Sequence, residues 1–357
     1  MAASSMAHRR ASGVVVGVDT HKDLHVARAK DELGRGLGEL TIPASAKGYR
    51  ALLSWSRGLG EVEAFGVEGT GCYGAGLTRH LRDHGEVVIE VIRPNRQARR
   101  RRGKSDPADA EAAASAVLSG EASGTPKQSD ATVEMIRALR VARSTANRAR
   151  TQAINALHAL VVTAPEELRG DLRGLPGPRL VRTCTGLRPG ELAGPVGATK
   201  AALPSLARRH QALSSVLELD RELRRLTAEA CPALLGIFGA GSDTAGAVLL
   251  AAGDNPERLR SEAAFAKLTG VSPVQASSGK TTRHRLNRGG DRHANAALHR
   301  IVLVSLRSRH PPTIDYVARR SAEGKSKRQI IRCLKRYVAR EVYRTLTDVQ
   351  ADLSSAA

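Results

Sequence analysis

Aromatic residues are scarce in this chain: one Trp, five Tyr and three Phe among 357 positions. So few rings argue against recognition of single strands on stacking platforms. Cysteine is scarce too. Cys72, Cys184, Cys231 and Cys333 stand far apart, without a CxxC pair or a histidine at ligand spacing. That excludes a disulfide framework and a cysteine-based zinc site. His80 and His84 share a helical face, but zinc needs further ligands and the sequence offers none nearby. No run approaches the ~20 apolar residues of a membrane span. The apolar Val14-Val15-Val16 behind His8-Arg9-Arg10 mimics a signal peptide until Asp19 cuts it short. These absences predict a cytoplasmic protein. Negative charge is the last shortage, with 35 Asp+Glu against 56 Lys+Arg and a formal net charge of +21. Solubility does not require so large a surplus, which predicts a polyanionic partner, nucleic acid before membrane.

What is present is globular: 41% hydrophobic residues and 25% charged. The length predicts two or three domains, read as an α/β domain over 1–125, a helical connector over 126–230 and a C-terminal domain over 231–357. In the first, the apolar run 13–18 predicts a central strand, and 24–30 and 38–42 predict two more in an antiparallel meander through Asp31-Glu32-Leu33-Gly34. Helix 45–55, strand 63–67, helix 73–84, strand 87–92 and helix 107–118 follow. A meander followed by alternating helix and strand makes a mixed sheet. Residues 121–130 have linker composition. Residues 131–162 and 206–230 read as long helices that pair with each other or with a second subunit. A basic amphipathic helix over 325–346 closes the chain.

Four carboxylates carry the most information. Asp19 ends the first strand and Glu68 the fourth, while Asp106 and Asp109 open the helix that starts at Pro107. Asp106 is placed to cap that helix, and the i, i+3 spacing sets both late carboxylates on one face of its first turn. Each residue alone reads as an ordinary strand end or cap. Gathered on one patch, the four would repel each other unless a divalent cation held them, and Mg²⁺ prefers carboxylate oxygens. Immediately upstream, residues 93–104 hold seven cations, Arg93, Arg96, Arg99, Arg100, Arg101, Arg102 and Lys104. Beside a metal cluster, such a run suits a phosphate backbone and a salt-dependent, sequence-blind contact.

Two matches mislead. Gly69-Thr70-Gly71-Cys72-Tyr73-Gly74 fits GxGxxG with Glu90 some 20 residues on. A dinucleotide there would meet Glu68 beside its pyrophosphate, and the basic surplus would have no purpose. Gly279-Lys280-Thr281 resembles the end of a P-loop, but Val274 stands where its first glycine belongs. Further on, 234–245 reads as helix, glycine hairpin, helix, either an ordinary αα-hairpin or one that offers backbone N–H groups to phosphate. Ser277-Ser278-Gly279 then lies among Lys280, Arg283, Arg285, Arg288 and Arg292. Such a loop is either a flexible turn or a serine nucleophile whose ionised form neighbouring cations favour.

The order strand-Asp, meander, strand-Glu, helix-Asp-x-x-Asp is that of RNase H-like nuclease domains. Gly17-Val18-Asp19-Thr20-His21-Lys22-Asp23, Val67-Glu68-Gly69-Thr70-Gly71 and Lys104-Ser105-Asp106-Pro107-Ala108-Asp109-Ala110 resemble the RuvC-like domain of the insertion sequence 110 family of transposases. Residues 234–253 and 270–298 resemble that family's C-terminal domain. The resemblance implies a fold of α/β plus α: an RNase H-like (RuvC-like) mixed sheet, a coiled-coil connector, and a mainly α domain with a helix-hairpin-helix-like element. It implies a site-specific DNA recombinase at the bacterial nucleoid that moves its own insertion sequence. Asp19, Glu68, Asp106 and Asp109 would be its catalytic, Mg²⁺-binding tetrad, and Ser278, with Ser277 as alternative, the nucleophile that forms a phosphoserine link. It further implies double-stranded DNA at the element ends and target, a structured non-coding guide RNA, and a dimer or tetramer in which one chain's RuvC-like domain faces another's serine. A water-using junction nuclease and a non-catalytic DNA-binding protein are the rival readings. One departure stands out: where family members often carry an arginine after the serine loop, this chain has Asn295, which alters the nucleic-acid contact expected there.

Overall fold

The computed structural model describes residues 11–91, 105–129, 131–190, 194–212, 216–277, 284–287 and 289–355. The chain divides into two compact units, residues 1–128 and 129–357. In the first, strands β1 (Ala11–Thr20), β2 (Leu24–Asp31) and β3 (Gly36–Pro43) form the expected meander. Helix α1 (Ala46–Leu59), β4 (Gly60–Glu68), α2 (Ala75–Asp83), β5 (Val88–Val91) and α3 (Asp106–Leu118) follow. The five strands run in the order β3-β2-β1-β4-β5, with β2 antiparallel to β1 and β4 parallel to it. This is the RNase H-like arrangement.

The central position of β1 follows from its Val-Val-Val-Gly-Val run, which has water on neither face. Val14, Val16 and Val18 join Phe65, Val67, Leu52, Leu77 and Leu81 in the core under α1 and α2. The turn after β2 is held by Asp31, whose carboxylate accepts from the backbone N–H of Leu33 and Arg35 at 3.1 and 2.8 Å, with Gly34 at φ +80°. Helix α1 is capped by Ser45, whose hydroxyl accepts from Gly48 N–H. On the opposite face α3 packs through Ala110, Ala113 and Ala114, small residues at i, i+3, i+4. There the sheet has glycines. A Cβ on Gly17 would overlap the backbone of Ala110 and Ala114, and one on Gly66 would come within 2.7 Å of Val117. Backbone therefore lies nearly on backbone.

The second unit is helical: α4 (Thr132–Thr163), α5 (Glu166–Leu172), α6 (Gly177–Gly186), α7 (Gly194–Ala212), α8 (Val216–Ala230), α9 (Pro232–Gly236), α10 (Ser242–Ala252) and α11 (Glu262–Leu268) come first. The short β6 (Val274–Gln275) and β7 (His284–Arg285), then α12 (Arg292–Arg307), α13 (Pro311–Ala322) and α14 (Lys327–Ser355) complete it. The helix expected over 206–230 covers the end of α7 and all of α8, and residues 213–215 lie outside the described residues. Helix α4 packs on both, so the long helices pair within the chain. Its expected seam is only partly used: Ala153 and Leu157 are buried, whereas Met135 is half exposed and Val133 and Ile136 take its place. The C-terminal half of α4 shares one core with α5, α6 and α7. Its N-terminal end shares another with α8, α9, α10, α11, α12 and α14. The segments expected as connector and C-terminal domain thus lie in one unit here. No described helix is long and apolar enough to cross a membrane.

Candidate functional site

Strands β1 and β4 are in parallel register up to Val18↔Val67. Asp19 and Glu68 each follow by one residue, so two carboxylates stand at neighbouring strand ends. The hydroxyl of Thr20 donates to Glu68 O at 2.7 Å and ties these ends together. Across the glycine contact, α3 begins at Asp106. Asp106 was expected to cap the helix, but it is the first helical residue, and Ser105 holds the cap position in extended backbone. Pro107 is tolerated in the first turn because no N–H is needed there. The Asp106 carboxylate is thereby free to face the strand end.

Between them stands His21. Its Nε2 lies 3.2 Å from Asp19 Oδ2 and 3.3 Å from Asp106 Oδ1, and ligand atoms of all three residues lie within 4.8 Å of one another. Asp19 and Asp109 are buried, Glu68 is partly buried and Asp106 is exposed. Burial pushes the Asp19 pKa up, His21 pulls it down, and Asp109 and Asp106 push it up again; the outcome is above the usual 3.8. Ionised Asp19 is therefore costly in this pocket. His21 Nε2 is itself buried without a hydrogen-bond partner of good geometry. Carboxylates so gathered that Asp109 and Asp106 disfavour the charge of Asp19, with an imidazole nitrogen among them, fit a divalent cation. This is the one such group of His, Cys, Asp and Glu among the described residues.

Of the expected tetrad, the structure brings Asp19, Asp106 and Asp109 into electrostatic contact, with Glu68 at the adjoining strand end. His21 was missed. The clue was available, since residues i and i+2 of an extended segment share a face. Arg93, Arg96, Arg99, Arg100, Arg101, Arg102 and Lys104 lie outside the described residues, as do Ser278, Lys280, Arg283 and Arg288.

The GxGxxG segment forms a turn instead. Gly69 takes φ +69°, its carbonyl accepts from the N–H of Cys72 and Gly74, and Glu90 accepts from the Thr70 hydroxyl at 2.8 Å. The rings of His80 and His84 lie 4.2 Å apart, tilted by 41°, with Tyr49 beside His80.

In the second unit, Ser277 follows β6 and Arg285 ends β7; the two strands pair as Val274↔Arg285 and Gln275↔His284. The glycine hairpin connects α9 and α10. At its helix start Thr244 Oγ1 already accepts the Gly241 N–H. Asp243 is held there by Arg300 at 2.6 Å, Arg140 at 3.2 Å and Arg143 at 3.4 Å. Burial raises the Asp243 pKa, but Arg140, Arg300 and Arg143 bring it below the usual range. The arrangement is that of an interhelical anchor. Asn295 has a local role as well: its amide donates to Thr269 O at 2.7 Å and its oxygen accepts from Lys335 Nζ at 2.6 Å.

Two family models match the chain. One, described as a transposase of the DEDD type, covers residues 16–164. The other, described as the transposase IS116/IS110/IS902 family, covers residues 231–318. No curated protein matches at a significant level.

Proposed function

Because the chain belongs to the IS110 family of transposases, whose activity is cleavage and transfer of DNA, we propose that it recombines its own insertion sequence with target DNA through a metal-dependent serine mechanism. The observation that carries this reading is the approach of Asp19 and Asp106 to His21, with Asp109 buried beside them. Asp19, Glu68, Asp106 and Asp109 would hold Mg²⁺. When bound there, the ion supplies Lewis-acid stabilisation of charge on phosphodiester oxygens.

The chain's own residues do the rest. His21 Nε2 stands 3.2 Å from Asp19 and 3.3 Å from Asp106, where its nitrogen would join the carboxylates as a further ligand atom. Ser278 attacks phosphorus: the Oγ–P bond forms as the bridging P–O bond breaks, and the proton lost by the serine hydroxyl ends on the departing deoxyribose oxygen. Attack by a second DNA hydroxyl reverses the step, so the exchange needs no external energy source. Lys280, Arg283, Arg285, Arg288 and Arg292 would hold the phosphate against Ser278. The run Arg93 to Lys104 would track the backbone near the carboxylates. A structured non-coding RNA would choose the sites, and the oligomer would bring one chain's carboxylates to another's serine.

The test is cleavage of DNA carrying the element ends by protein purified with its own flanking transcript. Asp19→Asn and Ser278→Ala should each lower cleavage at least about 100-fold, as expected for loss of a group acting on the developing charge. Wild type should leave a protein–DNA adduct on denaturing gels and Ser278→Ala none. Undiminished cutting by Ser278→Ala would identify a water-using nuclease instead.

A further inference from the structure

A cavity of about 900 Å³ opens in the second unit between residues 270–273 and 284–287 on one side and α13 and α14 on the other. Its lining is unusually cationic. Glu323 is the one acidic residue there, and it pairs with Arg320. Arg336 and Arg340 are committed to Glu262. Arg285, Arg319, Lys325 and Arg332 have no carboxylate within ion-pair distance among the described residues. Lys335 is partly buried beside them, fixed only by Asn295, and burial together with Arg332 pushes its pKa below the usual 10.5. Like charges gathered without counter-ions destabilise the apoprotein, and an anion removes that cost. Few as the rings are in the chain as a whole, which argued against stacking platforms, two of its five tyrosines gather in this one cavity. Tyr316 and Tyr337 pack edge to face at 5.2 Å, Arg319 lies over the first ring and Arg340 over the second, and Tyr337 remains half exposed.

We infer that this cavity binds a short run of single-stranded nucleic acid, with the phosphates on Arg319, Arg332 and Lys325 and one base stacked on Tyr337. Unpaired cations beside an exposed ring are the two elements of a strand-binding groove. The inference rests on the proposed function only in taking nucleic acid as the polyanion. Asn295 acquires a purpose here, because it delivers the Lys335 ammonium to the cavity wall.

The experiment is fluorescence anisotropy of the full chain, without divalent metal, on labelled DNA and RNA strands of one sequence and on the matching duplex. Arg319→Glu with Arg332→Glu should weaken single-strand binding at least about tenfold and reduce its salt slope by about 1.4, or 0.7 for each lost phosphate contact. Arg221→Glu with Arg224→Glu, exposed on α8, should leave the strand affinity within about twofold. Tyr337→Ala should cost several-fold and Tyr337→Phe little. If the acidic pair lowers the unfolding midpoint, Arg319→Gln with Arg332→Gln takes its place. A 2′-hydroxyl preference would identify the strand as RNA and equal binding would leave it as either; both support the site. Equal loss from the two acidic pairs, or duplex binding reduced as much as strand binding, would overturn it. The measurement involves no cleavage, so an active-site failure of Asp19 or Ser278 leaves it standing.

Discussion

His25 sits fully buried on β2, stacked on Tyr49 with centroids 5.8 Å apart. Its Nδ1 lies 3.0 Å from Leu24 O, and its Nε2 has no partner. A neutral ring that donates through Nδ1 tolerates this, because only an acceptor lone pair is left unmet. Protonation is another matter. Burial pushes the pKa below 6.5 and His21 adds to that, while the Leu24 carbonyl and Asp19 oppose it. The unfolded chain therefore takes up the proton first, so stability is complete above about pH 6.5 and declines as pH falls below it. Thermal midpoints of the first unit should drop between about pH 7 and 5, and His25→Phe should flatten that slope. An unchanged slope in the variant would remove His25 as the cause. Nothing in the sequence marks His25 as buried, since Leu-His-Val-Ala reads as strand and gives no sign of which face Tyr49 will cover. The carboxylates were legible for the opposite reason: each stands at a strand end or helix start that local pattern alone identifies.

At the scale of elements, the site depends on how closely α3 approaches the sheet. Gly17 and Gly66 permit that approach, and α3 carries both Asp106 and Asp109. Gly17→Ala would force a methyl into the helix backbone, which costs about 1–3 kcal/mol as overpacking. The helix moves outward as a result. The expected outcome is a lower denaturation midpoint together with loss of metal-dependent cleavage, although no ligand residue is changed. Full activity with a lowered midpoint would show that the carboxylates are positioned by something else. Gly66→Ala should be milder, because the Val117 side chain that it meets first can turn aside. The glycines were visible in Gly17-Val18-Asp19, but their partners Ala110 and Ala114 lie over 90 residues away, so their purpose was not.

The first unit has a core of its own, and the second is built on separate cores around the two ends of α4. Two thermal transitions are expected, and a divalent cation should act on only one. At about 100 times its dissociation constant, Mg²⁺ should stabilise the first unit by about 2.7 kcal/mol and leave the second unchanged. Asp19→Asn should abolish that response. It should also raise the metal-free midpoint, because a carboxyl whose folded pKa is raised loses stability as pH climbs through it. A Mg²⁺ shift in both transitions, or in neither, would contradict the assignment. The basic surplus was legible from composition. The cavity was not, because its lining joins residues from 270 to 340 that only tertiary packing brings together.

Helix α14 contributes Ala339, Val342 and Leu346 to the larger core of the second unit. A gene interrupted by a stop codon before residue 339 would still encode all four carboxylates and the serine loop. Its product would expose Phe265 and Leu298 to water, and the apolar surface left open would favour degradation over function. Copies of such an element that decay from the 3′ end should thus fall silent long before their catalytic motifs show any damage.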